Sequence, residues 1–136
     1  MKKRVNKLIS CNFSKGRSKK IIQITPHTAV GGASSLYGWF NNPNTQASTH
    51  CYVNKEGVTE RYINDGDTSW ANSNWNANCQ SLTFETWDRG NPNDSVRTDA
   101  LYESSAQLMA EWARNYSIPL VLLTKDQALN NQSGIT

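Results

Sequence analysis

A chain of 136 residues and 15.2 kDa fits one compact domain able to bury its own core, without repeats or a disulfide framework to hold it. With 37% hydrophobic residues, five Trp and five Tyr, it is too apolar for an intrinsically disordered segment, whose burial cannot offset ordering entropy. The net charge of +3 is unevenly spread: residues 1–20 carry eight basic residues and no acid, while the remainder sets six basic against eleven acidic residues.

That split predicts a basic N-terminal arm over residues 1–20, either a contact for a polyanion or a solvated tail, followed by a body over residues 21–136. The stretch Leu8 to Ser14 behind the first basic residues is too short and polar for the apolar core of a secretory signal. Synthesis in the cytoplasm is therefore expected. No apolar run approaches the roughly 20 residues of a membrane span. Three cysteines, Cys11, Cys51 and Cys79, are odd in number and irregularly spaced, which predicts reduced thiols, with Cys51 buried.

Ile21-Ile22-Gln23-Ile24-Thr25 is a β-branched run closed by Pro26, so His27 falls at the C-terminal end of a strand. After the Gly31-Gly32 turn, residues 33–40 read as a short helix. Residues 49–54 and 58–63 flank Lys55-Glu56-Gly57 as a β-hairpin, with His50 and Tyr52 on one face and Cys51 and Val53 on the other. Residues 64–80 and 87–96 are turn-rich and are expected to be long loops walling a cleft. Between them residues 81–86 read as a strand with Leu82 and Phe84 inward. Glu85, on the polar face of that strand, is a site candidate. From about residue 96 to 116, Leu101, Ser105, Leu108, Trp112 and Tyr116 mark one helical face, with Asp94, Ser95 or Thr98 as its cap. Ile118-Pro119 ends that helix before the apolar run 120–123. Strands alternating with helices predict an α/β domain with a mixed central sheet flanked by helices.

The chain has only two histidines. Alone, a strand histidine is more often structural than a ligand. The segment Ile24-Thr25-Pro26-His27-Thr28-Ala29-Val30-Gly31-Gly32, however, resembles the first zinc motif of the type 2 N-acetylmuramoyl-L-alanine amidase family, related to the peptidoglycan recognition proteins. Asn12 to Arg17 looks like the lead-in of phage lysins. Ala47-Ser48-Thr49-His50-Cys51-Tyr52-Val53 is similar to the family's Ser-x-His strand. Asp67-Thr68-Ser69-Trp70 resembles its cleft wall, and residues 78–86 its strand ending in a catalytic Glu, here Glu85. The resemblance runs in order from about residue 12 to 136.

It implies a zinc hydrolase of the endolysin type, acting at the bacterial cell wall on the amide between N-acetylmuramic acid and L-alanine of peptidoglycan. By resemblance His27 is a Zn2+ ligand, Glu85 the general base, and His50 a supporting residue behind the ligands. Thr49, where some relatives carry a catalytic Tyr, and Trp70 are substrate-binding candidates. Trp70, Trp75 and Trp87 either pack on sugar rings or stem peptide, or serve as buried anchors. The resemblance stops at Gly134-Ile135-Thr136, before the family's second zinc His and the Cys or Asp after it, so a C-terminally truncated amidase, a monomer by expectation, is implied. A catalytically silent peptidoglycan-binding module is the alternative. Nucleic acid is not expected as a partner, because the positive charge lacks interleaved aromatic residues.

Overall fold

The computed structural model describes residues 3–90 and 97–136. Eight strands and four helices follow in the order β1 (Arg4–Asn6), β2 (Phe13–Ser14), β3 (Gln23–Ala29), α1 (Tyr37–Phe40), β4 (Cys51–Val53), β5 (Thr59–Arg61), β6 (Thr68–Ser69), α2 (Trp75–Gln80), β7 (Ser81–Trp87), α3 (Asp99–Tyr116), α4 (Lys125–Leu129) and β8 (Gly134–Ile135). Six strands form one mixed sheet in the order β1-β5-β4-β7-β3-β8, and β2 pairs with β6 in a small antiparallel ribbon. The chain is an α/β domain with a mixed central sheet, as its alternation of strands and helices predicts.

Both faces of the sheet are covered, because side chains on successive strand residues go to opposite sides. On one face Ile24, Cys51, Val53, Leu82 and Phe84 pack against Leu101, Leu108 and Trp112 of α3. The other face carries Tyr52 and Tyr62, which pack with Ile9, Phe40 and Ile63 under the segment that holds α1. The predicted split of Tyr52 from Cys51 and Val53 is therefore realised, but His50, expected on the Tyr52 face, lies just before β4 with its ring edge-on to Trp112 of α3.

α3 buries Leu101, Ser105, Leu108 and Trp112 of the predicted stripe, with Ser104 beside them, while Tyr116 at its end is only partly buried. Thr98 caps it by accepting from the Leu101 backbone N–H, while Asp94 and Ser95 lie outside the described residues. Its last turn closes at Ser117, whose φ of 54° is left-handed. The hairpin turn needs a glycine: Gly57 has φ +79°, and a Cβ there would sit 2.7 Å from the Ala100 carbonyl of α3.

Several local expectations shift. β3 does not stop at Pro26 but continues through it to Ala29. Gly134 and Thr136 donate their N–H groups to the carbonyls of Ile22 and Ile24, so even-numbered residues of β3 turn their peptide groups towards β8. Pro26 falls one step beyond the end of β8, where an absent N–H breaks no ladder. The helix expected over residues 33–40 is only the single turn α1, since the Ala33 carbonyl is taken by the Tyr52 hydroxyl. The expected loop 64–80 contains β6 and α2, the latter capped by Asn74. The apolar run 120–123 forms only an isolated bridge, Leu122 to Ile135, and leaves Leu120, Val121 and Leu122 exposed.

The segment read as a basic arm supplies two structural parts. Arg4–Asn6 is the sheet's edge strand, paired with β5. Arg17 is largely buried, and its guanidinium donates to the carbonyls of Asp65, Cys79 and Ser81 at 2.7, 3.1 and 3.0 Å, fastening the segment between β5 and β7. Burial lowers its pKa against the pull of nearby Asp65.

Candidate active site

β3 and β7 run parallel, and their register sets His27 directly beside Glu85. β4 places Tyr52 on the other side of Glu85, and β5 places Glu60 beside Tyr52. Register partners on neighbouring strands share a face. His27, Glu85, Tyr52 and Glu60 therefore form one row across four strands, on the face opposite α3. His27 and Glu85 are the fifth residues of seven-residue strands, in their C-terminal halves, the end of an open α/β sheet where ligands collect.

Each member of the row has a different environment. Glu85 is half-buried: burial raises its pKa, against the lowering effect of His27. Its proton affinity is thus held above that of an ordinary glutamate, which suits a group that must both take and give a proton. Tyr52 is fully buried, and its hydroxyl donates to the Ala33 carbonyl. Burial works to raise the pKa of Glu60, but hydrogen bonds from Ser35 (2.6 Å), Tyr62 (2.5 Å) and Lys7 outweigh it and keep the carboxylate charged. The same Tyr62 oxygen accepts the Leu36 N–H, so Glu60 and Tyr62 pin the segment before α1 against the sheet.

His27 Nε2 lies 3.0 Å from Oδ1 of Asn72. A carbonyl-type oxygen accepts only, so this ring nitrogen carries the proton and Nδ1 keeps the lone pair. Asn72 is itself fixed, because Asn78 Oδ1 accepts the backbone N–H of Asn72 at 2.9 Å and of Ala71 at 3.3 Å. Its amide nitrogen is buried with no partner among the described residues. Asn78 also lines a groove of about 640 Å³ that runs past Trp70 and Trp75.

The remaining candidates are dispersed. His50 is fully buried and structural in its contacts: Nδ1 accepts the Thr83 backbone N–H, leaving Nε2–H to the Asp67 carbonyl at 3.0 Å. Burial, then the neighbouring Arg17 cation, lowers its pKa to about 3, so the ring is neutral. Thr49 is 1% exposed, and its hydroxyl donates to the Cys51 carbonyl. Trp70 faces the groove with Nε1 donating to Ser14, and Trp87, at the end of β7, packs into the core. The three cysteines are unpaired; Cys51 lies on the α3 face, where burial pushes its thiol up to about 12.

For zinc, the row offers one suitable position. A histidine whose Nε2–H is anchored and whose Nδ1 is free to coordinate is the usual arrangement of a metal ligand. Among the described residues no three His, Cys, Asp or Glu side chains converge on a common point, so they do not form a complete zinc centre with three protein ligands. Asn72, Tyr52, Glu60 and Arg17 are contributions that sequence reading missed. Asn72 meets His27 across 45 positions of chain, which leaves no local signal.

The family model for N-acetylmuramoyl-L-alanine amidases matches residues 6–128. The chain belongs to that family. A comparison of the amidase sequence with curated proteins returned no match. Solved structures share its fold. The endolysin amidase LysCS from Clostridium intestinale is 17% identical with a TM-score of 0.68, covering 87% of this chain and 78% of its own. A mutant endolysin from Bacillus subtilis is 23% identical with a TM-score of 0.67, covering 88% and 80%. The hydrolase AmiA from Staphylococcus aureus, solved with its ligand, is 14% identical with a TM-score of 0.68, covering 98% and 63%. No helix among the described residues of the amidase is long and apolar enough to cross a membrane.

Proposed function

We propose that this amidase domain acts at the bacterial cell wall, hydrolysing the amide between N-acetylmuramic acid and L-alanine, with Glu85 moving the proton and His27 beside it as a zinc ligand. The observation that carries the proposal is the register of His27 with Glu85 on one sheet face. Between those side chains a scissile amide has a carboxylate on one flank and a lone-pair nitrogen on the other.

Glu85, more basic than a solvated glutamate, takes a proton from the attacking water and passes it to the departing amine of L-alanine. Asn72 holds the His27 ring so that Nδ1 stays an acceptor throughout. Nδ1 of His27 would hold zinc, and the chemistry it would supply there is a water of lowered pKa and a Lewis acid for the carbonyl. Trp70, its indole fixed by Ser14, is the proposed substrate contact at the groove.

A catalytically silent peptidoglycan-binding module is the second reading. The uncharged groove past Trp70 and Trp75 favours it, since a surface of that kind can hold a neutral ligand with no metal. Purified cell walls incubated with the protein separate the two. Newly released L-alanine amino termini, lost with chelator and with Glu85→Gln, support hydrolysis. Retention on the walls without new amino termini supports the binding module, and release that survives both treatments removes the Glu85 mechanism.

A further inference from the structure

The basic residues gathered in the first twenty positions do not all serve the fold. Arg4 bridges Glu111, Lys7 bridges Glu60, and Arg17 spends its guanidinium on three carbonyls. Lys19 and Lys20 are exposed and have no acidic partner among the described residues. Together with Arg17 they line a groove of about 410 Å³, shared with Asn115, Tyr116 and Ser117 at the end of α3. No acid lines it. Asp65, which accepts from the Tyr116 hydroxyl at 2.9 Å, is already paired with Arg61 at 2.6 Å. Cations near a helix C-terminus often serve the helix itself by meeting its last carbonyls. These two do not: Lys19 donates to Asn76 of α2, and Lys20 donates to nothing among the described residues. Three like charges gathered without a counter-charge repel one another, so an anion placed among them lowers the energy.

We infer that this groove binds the phosphodiester backbone of a polyol-phosphate polymer of the cell wall, and so holds the domain on the wall while the reacting row stays open. The choice of polymer rests on the cell-wall reading; the preference for phosphodiesters rests on the groove. A nucleic acid calls for open rings on which its bases stack, and the one ring here, Tyr116, has its hydroxyl committed to Asp65. An anionic membrane calls for apolar anchors beside the cations, and the apolar residue on this lining, Ile21, is 8% exposed. Hydroxyl and amide groups of Ser117 and Asn115 suit the polyol between phosphates. Ile21 precedes β3, so the groove lies at the N-terminal end of the strand whose C-terminal half carries His27. About 20 Å of extended chain separates the two, so the polymer and the scissile amide do not compete for one place.

The test uses the 136-residue protein and a fluorescently labelled glycerol phosphate oligomer, followed by anisotropy over a range of salt concentrations. Saturable binding is expected, weakened about tenfold or more by Lys19→Gln with Lys20→Gln, kept by Lys19→Arg with Lys20→Arg, and unchanged by Lys125→Gln on α4. The slope of log affinity against log salt should become shallower by about one for each lysine neutralised. Urea midpoints establish that each variant folds. Absence of saturable binding, an affinity untouched by the two Gln substitutions, or equal affinity for oligothymidylate or phosphatidylglycerol vesicles overturns the site. Release of amino termini from walls is scored separately. Oligomer binding without release supports the groove and ends only the hydrolytic proposal, whereas release without oligomer binding ends the groove alone.

Discussion

His50 and His27 show how one residue type takes two fates on one sheet. His50 is sealed among Thr83, Asp67 and Arg17, and its folded pKa of about 3 lies below the unfolded value of 6.5. Between those values the unfolded chain binds the extra proton, so stability is full above pH 6.5 and is lost as pH falls towards 3. The expected slope from this one group is up to about 1.4 kcal/mol per pH unit, and urea midpoints measured from pH 7 to pH 4 check it. His27 is partly buried, and among the described residues its ring is hydrogen-bonded to Asn72. Replacing Asn72 with Ala should let the ring sample both tautomers, so nitrogen shifts of labelled histidine move from a single Nε2–H form to a mixture. A single form retained in the variant would show that Asn72 does not set it. For Glu85→Gln, the expected fall in amide cleavage is on the order of 10²–10⁴, with circular dichroism unchanged.

At the scale of elements, what the sequence made legible followed periodicity. α3 announces itself because Leu101, Ser105, Leu108 and Trp112 recur at helical spacing over 18 residues, and β4 because Cys51, Tyr52 and Val53 alternate between two cores. α2, β6 and β8 are six residues or fewer and have no room to display a period, so tertiary pairing decides them. Arg17 was legible only as charge, since its three carbonyl partners lie about fifty to sixty residues away. Arg17→Met should therefore cost about 3 kcal/mol or more, by leaving those carbonyls unmet, while a substitution at exposed Lys15 costs little. Gly57→Ala should destabilise by more than about 1 kcal/mol, because the strained φ and the contact with Ala100 act together. Denaturant midpoints distinguish both from a neutral surface change.

For the molecule as a whole, the sheet separates the tasks of its two faces. The α3 side is a packed hydrophobic layer, and Leu108→Ala there should cost about 2–5 kcal/mol without altering affinity at the opposite face. The other side carries the charged row and the groove. His27 and Glu85 were each legible from family resemblance, but their adjacency is a property of strand order, which puts β3 next to β7 across more than fifty residues of sequence.

The position of Pro26 also guards the alignment of β3. A ring-closed imide nitrogen donates to nothing, and in the observed alignment Pro26 is paired with neither residue of β8. Sliding β3 by two residues along β8 would carry that nitrogen into the ladder and leave a carbonyl there unmet, so the slipped arrangement is penalised where the observed one is not.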